Sequence, residues 1–385
     1  MKNQLIPTLR FPQFSNNWES KKLGNIAKFS KGKGISKSDI IEDGKNECIR
    51  YGELYTAYNE VIKLISSRTN VEITNYILSE ENDVIIPSSG ETQLDIATAS
   101  CVLKKGVILG GDLNIIKSKV NGVFLSYLLN NSKKKDIAKL AQGNAVVHLY
   151  NKQLATLILK LPSSEEQQKI ATFLTDVDDK ITKLTKKKTL LEQYKKGIMQ
   201  KIFNQELRFK DDNGDAFPNW EEKKLGEVSK ITTGSSNRQD SSLDGEYTFF
   251  DRSEDVRTSS KYLFDGEAVI VAGEGSDFIP KYYVGKFDLH QRTYAIMDFK
   301  YSISKFIYFY VDFHRRYFLN QAVGSTVKSL RLPMFQKMPI CLPKKEEQTK
   351  IANFLSDIDL KIKVLNTKIE NSKSFKKGLL QKMFV

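Results

Sequence analysis

The chain has 385 residues, enough for two or three domains, and its 40% apolar and 28% charged residues are typical of a globular protein with buried cores. No run of 18 uncharged apolar residues occurs, which excludes a membrane span, and the N-terminal residues lack an apolar stretch of signal-peptide length, so we expect a cytoplasmic protein. The net charge of +14 favours a polyanionic partner, most often nucleic acid.

The first half opens on a lead-in, LRFPQFSNNWESKKLGNI from Leu9, followed by a variable block over about residues 25–160. The loops KGKG from Lys31 and PSSGETQ from Pro87 put small and polar residues where strands are expected to end. Apolar patterning predicts three strands and then a helix in the segments NDVIIPSSG, ATASCVL, LNIIKSKV and VFLSYLLNN.

A helical block, LPSSEEQQKIATFLTDVDDKITKL from Leu161, comes next. Its apolar residues recur at spacings of four and three, which is typical of a coiled coil, and only Lys188 and Lys195 interrupt this seam. Ser164 with Gln167 predicts a capping box at the helix start. Gly197 near the end predicts a kink or a close helix approach. The apolar seam consists of Ile170, Leu174, Val177, Ile181, Leu184, Leu191, Ile198 and Ile202.

The second half repeats the first. The helical block recurs as LPKKEEQTKIANFLSDIDLKIKVL from Leu342, at an offset of 181 residues, and 22 of the 43 positions in 161–203 match those in 342–384. Ser372 and Lys376 interrupt the second seam, and Gly378 matches the first glycine. The lead-in recurs as FPNWEEKKLGEV from Phe217. An internal duplication of this kind predicts two similar halves.

The second variable block, about 227–341, shows the same order of predicted strands and helix, in EAVIVAGEGS, KYYVGKF, TYAIMDF and KFIYFYVDFHRRYFL. This order indicates a common α+β fold. The segments GNAVVHLY and GSTVKSLR, which precede the two helical blocks, also match at the offset of 181. The helix aromatics Phe306, Phe309, Tyr310 and Phe313 are expected in the core, with base stacking as the alternative.

The two helical blocks are each about 40 residues long, which corresponds to about 60 Å of helix. Each apolar seam must be buried against another element, and the second helical block is the obvious candidate. We therefore expect the two helices to pair antiparallel about a pseudo-twofold axis. Such a pair would hold the two variable domains apart by more than one turn of B-DNA, roughly 34–36 Å. The alternative is a dimerisation coil that pairs with another chain.

Several catalytic and metal sites are excluded by what the sequence lacks. There is no P-loop, and without adjacent prolines there is no N-P-P-Y or D-P-P-Y methyltransferase motif. The histidines His148, His290 and His314 have no metal-ligand spacing. The cysteines also lie far apart, so neither a disulfide scaffold nor a thiolate zinc site is expected. The three cysteines are Cys48, Cys101 and Cys341.

Each variable domain is preceded by W-E-x-K-K-L-G, at Trp18 or Trp220, and is followed by an EEQ-x-K-I-A-x-F-L helix that ends in K-K-G-[IL]-[ML]-Q-K-x-F. This layout resembles the specificity subunit of a type I restriction–modification enzyme. The resemblance covers essentially the whole chain. It implies a non-catalytic subunit with two mixed α/β target-recognition domains, each of which reads one half of a split DNA site. The implied divisions are a first recognition domain (1–160), a first helical spacer (161–206), a second recognition domain (207–342) and a second helical spacer (343–385).

The resemblance also implies partners: double-stranded DNA, two methyltransferase (modification) subunits and the restriction subunits, with no membrane. No cofactor is expected in this chain, because S-adenosylmethionine, ATP and Mg belong to the partner subunits. Two other classes stay open from the residues alone. One is an interaction scaffold whose coils pair in trans without sequence-specific DNA binding, and the other is a stand-alone nuclease or methyltransferase with an unseen site.

Candidate site residues follow from loop positions and side-chain chemistry, since Arg and Gln suit base edges and small residues let a backbone approach a phosphate. Residues 207–342 carry 19 basic and 19 acidic groups, so their basic side chains must be segregated to face DNA. The expected DNA-binding residues are Lys31, Lys33, Ser88, Ser89, Gln93, His148, Arg238, Gln239, Arg252, Arg257, Ser276, His290, Arg292, Lys328 and Arg331. The expected partner-binding residues, placed on the outward face of the helices, are Glu165, Glu166, Gln167, Glu346, Glu347 and Gln348. No catalytic or metal-binding residue is expected.

Overall fold

The computed structural model describes residues 6–143, 145–253 and 255–385. The chain forms two compact units, one made of the residues up to 185 together with 367–385, and the other of residues 186–366. Each unit contains mixed and antiparallel β-sheet, short helices and parts of two long helices, so the α+β class predicted from the sequence is confirmed.

Within the described residues, the strands of the first unit form four sheets. Its strands are β1 (Glu19–Lys22), β2 (Ala27–Lys31), β3 (Asn46–Ile49), β4 (Val61–Ile62), β5 (Ser67–Thr69), β6 (Ile77–Leu78), β7 (Asp83–Pro87), β8 (Ser89–Gly90), β9 (Ser100–Val102), β10 (Ile108–Leu109), β11 (Leu113–Ser118), β12 (Val147–His148) and β13 (Ile158–Leu161). The largest sheet has the strand order β2-β11-β7-β9-β4, a second has the order β5-β3-β10-β6, and β1·β13 and β8·β12 form two-stranded pairs.

The helices of the first unit cover the sheets. They are α1 (Leu23–Ile26), α2 (Glu53–Thr56), α3 (Gln93–Ile96), α4 (Gly122–Asn130), α5 (Lys134–Leu140) and α6 (Asn151–Leu154), followed by the long α7 (Ser164–Phe203), and short 3-10 turns occupy Lys37–Asp39 and Ile73–Asn75. Strand β7, with the sequence DVIIP, is buried along its whole length because both of its faces are covered. Val84 and Ile86 enter the core beneath α4, while Ile85, on the opposite face, enters a second core. A strand covered on both faces needs apolar residues throughout.

The second unit repeats this plan with longer strands. Its strands are β14 (Glu221–Lys224), β15 (Lys230–Thr233), β16 (Tyr247–Phe250), β17 (Arg257–Ser259), β18 (Phe264–Ala272), β19 (Lys281–Leu289), β20 (Thr293–Met297) and β21 (Pro339–Leu342). Its helices are α8 (Leu225–Val228), α9 (Ser304–Phe313), α10 (Arg315–Gln321), α11 (Leu332–Gln336) and the long α12 (Lys345–Met383), with a 3-10 turn at Arg238–Asp240. One six-stranded sheet has the order β15-β20-β18-β19-β16-β17, and β14 pairs with β21.

The predicted aromatic helix of the second unit lies in the core. Phe306, Phe309 and Tyr310 are almost fully buried, and the partly buried Phe313 packs against the same cluster, so the core prediction is confirmed. The helix does not run on through the segment predicted for it. It breaks at His314, which separates α9 from α10.

The two long helices pair antiparallel inside each unit, as predicted. In the second unit Lys188 Nζ lies 3.1 Å from Asn366 Oδ1, and Lys195 Nζ lies 2.6 Å from Asp359 Oδ1. Residue numbers therefore increase along α7 while those of the contacting residues decrease along α12, which is antiparallel pairing. In the first unit the same core cluster contains Leu174 near the start of α7 and Leu379 near the end of α12. Each seam is therefore covered by the other copy within the same chain.

Two local predictions about the long helices are wrong. Both helices run unbroken through Gly197 and Gly378, and a side chain built at either glycine would meet nothing within 4 Å, so neither marks a kink or a close approach. The capping residue of α7 is Ser163 rather than Ser164, because its hydroxyl accepts the N–H of Glu166 at 3.4 Å.

Candidate nucleic-acid interface

A small cavity of the second unit is lined by residues at the ends of strands. It measures about 160 Å³. The 3-10 turn after β15, the end of β16 and the turn between β19 and β20 converge there, because Ser236 after β15 forms a bridge with His290 and the N–H of His290 donates to the carbonyl of Phe250 at 2.9 Å. The lining residues are Arg238, Asp251, Arg252, His290, Gln291 and Arg292. Four of the expected DNA-binding residues are thus brought together.

Glu274, at the end of β18, holds two of these arginines. One of its oxygens, Oε2, lies 2.8 Å from Arg252 Nη1, and the other, Oε1, lies 2.6 Å from Arg292 Nη1. The Glu274 side chain is 13% exposed, whereas the two arginine side chains are 53% and 60% exposed. Charge-assisted hydrogen bonds to this one half-buried carboxylate fix both guanidinium groups at their inner edge and leave their outer edge open to solvent.

Asp251 supplies a second carboxylate beside the cavity, and this one is buried. Its Oδ2 lies 3.9 Å from Nε of Arg238. Burial raises the pKa of Asp251, but hydrogen bonds from Ser253 and the charges of Arg238 and Arg257 outweigh burial, so the pKa lies below its usual value. Asp251 is therefore ionised at neutral pH, and three guanidinium charges face two carboxylate charges.

The His290 side chain is oriented by its own turn. The backbone N–H of Arg292 donates to Nδ1 of His290 at 3.1 Å, so in the neutral ring the hydrogen is on Nε2. Burial lowers the pKa of His290 below its ordinary value of 6.5. The carboxylates of Asp251 and Glu274 oppose this shift, and the charges of the two neighbouring arginines reinforce it. At neutral pH the ring is an uncharged hydrogen-bond donor at Nε2.

The first unit gathers different groups at the matching place. Lys31 Nζ, at the end of β2, lies 3.4 Å from Asp112 Oδ1, and the hydroxyl of the buried Ser88 lies 3.2 Å from the same oxygen. Ser89 Oγ lies 3.2 Å from Nδ1 of His148 across the β8·β12 pair. The structure therefore brings together four of the six residues expected to bind DNA in this unit.

The backbone contacts around the two sites match residue by residue. The N–H of Leu149 donates to the carbonyl of Ser88 at 3.1 Å, and the N–H of Leu330 donates to the carbonyl of Gly273 at 2.7 Å. Leu149 and Leu330 are separated by the same 181 residues as the two helical blocks. The two units therefore place the same framework around different side chains.

The side chains next to these contacts differ in chemistry. Ser89 in the first unit corresponds to Glu274 in the second. Asp112 corresponds to Arg292, because the carbonyls of these two residues accept the next pair of matched hydrogen bonds, at 2.7 and 2.8 Å. The first unit therefore has a serine where the second has a carboxylate, and a carboxylate where the second has a guanidinium. The two sites present different patterns of hydrogen-bond donors and acceptors.

The glycine of the repeated G-x-x-V segment has the same backbone conformation in both units. Gly143 has φ +118° and Gly324 has φ +116°, a backbone region that residues with side chains rarely adopt. A Cβ at these positions would lie 2.1 Å from the carbonyl oxygen of Val146 or 2.2 Å from that of Val327. The turn in the second unit presents the exposed Lys328, whose carbonyl accepts the N–H of Gly275 at 3.0 Å.

The other expected DNA-binding residues are more dispersed. The half-buried Arg257 on β17 donates to Ser241 Oγ at 3.2 Å. Ser276 donates to its neighbour Asp277 at 3.1 Å. Their roles, like those of the gathered residues, stay predictions. The exposed members of the remaining set are Lys33, Gln93, Gln239 and Arg331.

The lead-in segment is attached to the long helix by a buried carboxylate in each unit. Glu166 is 1% exposed, accepts from Nε and Nη2 of Arg10 at 2.7 and 2.6 Å, and lies 3.4 Å from Nε1 of Trp18. In the second unit Glu347 is fully buried and accepts from Nε and Nη2 of Arg208 at 2.8 and 2.7 Å.

The adjacent glutamine makes a second attachment, to the recognition fold. Gln167 donates to the carbonyl of Pro162 at 2.9 Å and accepts the N–H of Asn121 at 3.0 Å, and Gln348 makes the same two kinds of contact in the second unit. The expected outward placement is therefore wrong for four residues, whose side chains are buried within the unit: Glu166, Gln167, Glu347 and Gln348. Glu165 and Glu346 are exposed as expected, and their partner role stays a prediction.

Sequence reasoning missed several residues of the two sites. Glu274 and Asp112 were passed over because carboxylates are not obvious partners for DNA. Lys37 was missed although Ser36–Asp39 and Asn237–Asp240 both form a 3-10 turn closed by a capping box, so Lys37 corresponds to Arg238. A finer alignment of the two variable blocks, with a local offset of 201 rather than 181, would have found it.

Residues 15–193 and 218–372 match the profile of the family described as the type I restriction modification DNA specificity domain. The chain belongs to this family. One relative, the EcoDI type I restriction enzyme specificity subunit of Escherichia coli, is 32% identical over 151 residues, which are 39% of this chain and 34% of that protein. The match thus spans about a third of the length of that relative. The MjaVIII specificity subunit of Methanocaldococcus jannaschii is 25% identical over 97% of this chain and 92% of its own length.

Solved structures share the fold of this specificity-domain chain. A type I restriction–modification S subunit from M. genitalium superposes with a TM-score of 0.71 over 99% of both chains at 15% identity. A chain from a study of complex assembly and conformational transition of the type I R-M system gives a TM-score of 0.53 at 16% identity, over 95% of this chain and 96% of that one. At these identities the likeness concerns the fold.

Within residues 6–143, 145–253 and 255–385, no group of three or more His, Cys, Asp or Glu side chains is arranged to hold a metal ion. No helix in this part of the chain is both long enough and apolar enough to cross a lipid bilayer.

Proposed function

We propose that this chain is the DNA-reading, non-catalytic subunit of a type I restriction–modification enzyme. Each recognition domain would read one half of a bipartite site. The observation that carries the proposal is the pairing of a repeated framework with different side chains at matched positions, Ser89 against Glu274 and Asp112 against Arg292. A protein that presents the same backbone contacts twice and changes the side chains beside them is suited to two different half-sites.

The repeated framework supports the proposed partners. Two copies of one helical block suit two copies of one partner, so we propose that two methyltransferase subunits dock on the chain and that restriction subunits join the complex. S-adenosylmethionine, ATP and Mg would serve those subunits and not this chain. The expected cytoplasmic location follows from the DNA substrate.

Methylome sequencing of cells with and without the gene tests the proposal. We expect methylated adenines or cytosines in a split motif of two half-sites that appears only when the gene is present. Gel shifts of the full chain on that motif, with and without its methyltransferase subunits, then measure DNA binding directly. A gene-independent methylome, or methyl transfer or cleavage by the purified chain alone, would contradict the proposed role.

A further inference from the structure

The cavity of the second unit carries an inference that rests on the proposed function and deepens it. Most of its polar groups are hydrogen-bond donors: the outer edges of Arg252 and Arg292, the guanidinium of Arg238 and the Nε2–H of the half-buried His290. The exposed Gln291 donates Nε2 to Asn237 Oδ1 at 2.6 Å and keeps its amide oxygen as an acceptor. The group of donors is complementary to a ligand edge that offers acceptors. In the major groove, guanine is the base with two acceptors, N7 and O6, side by side.

The carboxylates beside the cavity argue against a phosphate ligand. The buried Asp251 and the half-buried Glu274 lie at the inner side of the arginines, and together they offset two of the three guanidinium charges. The two carboxylates therefore weaken the attraction of this surface for a phosphate, because their charge opposes that of the arginines. A neutral base edge meets the same donors without that loss of attraction.

Glu274 also determines how the arginines can be used. It binds one terminal nitrogen of Arg252 and one of Arg292, so both planes are restrained before any ligand arrives. Arginine reads guanine with two parallel N–H groups, and this geometry is lost when the plane rotates freely. In the first unit a serine, Ser89, stands at the position of Glu274, so this arrangement is specific to the second recognition domain.

We propose that the cavity of Arg238, Arg252, His290 and Arg292 binds the major-groove edge of a guanine in the half-site of the second recognition domain. Arg252 and Arg292 are the specificity-determining residues. Glu274 is a positioning residue that holds them.

The test uses the full chain assembled with its methyltransferase subunits. Methylomes of cells that carry wild type, R292K or E274Q are compared first, and R292K is chosen because lysine keeps the charge but loses the two-pronged geometry. We expect both variants to methylate sites in which one guanine of one half-site has become degenerate. R316A, at an exposed arginine of α10 that does not line the cavity, is the matched control and should keep the wild-type motif.

A binding experiment then locates the contact on the base. Duplexes that carry 7-deazaguanine at the identified position lack the N7 acceptor but keep Watson–Crick pairing. We expect wild type to bind them about tenfold or more weakly than the guanine duplex, and R292K to bind both duplexes equally. A methylphosphonate at the neighbouring phosphate should affect wild type and R292K alike.

The contradicting outcomes are distinct from failure of the proposed function. If R292K and E274Q methylate the unchanged motif, if neither half-site contains a guanine, or if wild type is indifferent to 7-deazaguanine but sensitive to the methylphosphonate, the guanine assignment is wrong while the DNA-reading role stands. If wild-type cells show no bipartite motif at all, the proposed function itself is wrong.

Discussion

Lys376 and Asp178 form an ion pair between the two long helices, with 2.8 Å between Nζ and Oδ1. The same contact occurs between Lys195 and Asp359 in the other unit, at 2.6 Å. Both partners of the second pair are related to those of the first by the offset of 181, so one interaction is built twice from the duplicated sequence. Each lysine is one of the residues that interrupt the apolar seam.

A charged residue within an apolar seam selects one register of the helices, because any slide would leave the charge without its partner. Lys376 lies in a polar cluster, with Nζ 3.1 Å from Glu60 and Tyr127 donating to Asp178 at 2.5 Å. Burial lowers the pKa of Lys376, but the two carboxylates outweigh burial and hold the pKa above its ordinary value of 10.5. The ammonium group is therefore charged whenever the helices pair.

Replacing this lysine should destabilise the first unit. K376M leaves Glu60 and Asp178 without their shared cation, and we expect a loss of about 2 kcal/mol in the free energy of unfolding. Urea titration followed by circular dichroism measures it. K377M, at the exposed neighbour, is the control and should change stability by less than about 0.5 kcal/mol. Equal stabilities for the two variants would show that the pair does not hold the register.

The buried glutamates that attach the lead-in segments to the long helices, Glu166 and Glu347, provide a second test with a neighbouring control. E166Q keeps the volume of the side chain but removes the charge that Arg10 binds with two nitrogens, and we expect a loss of about 2–3 kcal/mol. E165Q alters an exposed carboxylate one residue away, whose pKa is lowered by hydrogen bonds from its own backbone and from Ser163, and should cost less stability than E166Q. Thermal unfolding of both variants decides between a structural role and the outward role that the sequence suggested. An E166Q variant as stable as wild type would show that the contact between Glu166 and Arg10 does not stabilise the unit.

The features that the sequence predicted well are those with a local or repeated signature. The apolar seams, the duplicated blocks and the aromatic helix around Phe306 depend on periodicity, which is visible within a few turns. Burial of Glu166 could not be predicted this way, because its partner Arg10 lies 156 residues earlier and only the tertiary fold brings them together. A Glu-Glu pair at a helix start looks like an ordinary solvated turn until its partner is known.

The candidate site shows the same limit. Position at a strand end was enough to select Arg238, Arg252, His290 and Arg292, which meet in one cavity because Ser236 bridges to His290 and His290 bonds to Phe250. The organising role of Glu274 was not visible, because it depends on two guanidinium groups that come from different turns. The hydrogen-bonding capacity of each arginine was predictable from the sequence, whereas their shared contact with one carboxylate was not.

Two pairs of matched glycines should respond in opposite directions to alanine. G324A places a Cβ 2.2 Å from a carbonyl oxygen in a turn with φ +116°, and we expect it to cost about 1–3 kcal/mol and to disturb the turn that presents Lys328. G197A lies inside a helix where a Cβ meets nothing, and we expect a gain of about 0.5–1 kcal/mol. Denaturant titrations of both variants check the signs. A destabilised G197A would indicate a contact that the structure does not contain.

His314 should make the stability of the second unit depend on pH. Burial lowers the pKa of His314 below its ordinary value of 6.5, so the unfolded chain binds a proton more readily than the folded one. Stability is therefore full above pH 6.5, falls as the pH drops through that value, and stops falling below the depressed folded pKa. H314F removes this contribution and suits the aromatic surroundings of Phe203, Tyr310 and Phe313.

The measurement compares the free energy of unfolding at about pH 7.5 and about pH 5.5 for wild type and for H314F, because carboxylates titrate in both proteins and cancel in the difference. We expect wild type to lose more stability than H314F over this interval. The same loss in both proteins would mean that the histidine titrates as it does in the unfolded chain.

Lys328 and Arg331 are exposed beside the repeated turn of the second unit and are expected to bind phosphate oxygens rather than bases. Each phosphate contact releases condensed counterions, so its loss weakens binding to every sequence and lowers the slope of log K against log salt by about one. We expect the double variant K328A/R331A to bind specific and unrelated duplexes more weakly by a similar factor, with a slope reduced by about two. R316A serves again as the exposed control. An unchanged slope would remove these residues from the interface, whereas a loss confined to the specific duplex would reassign them to base reading.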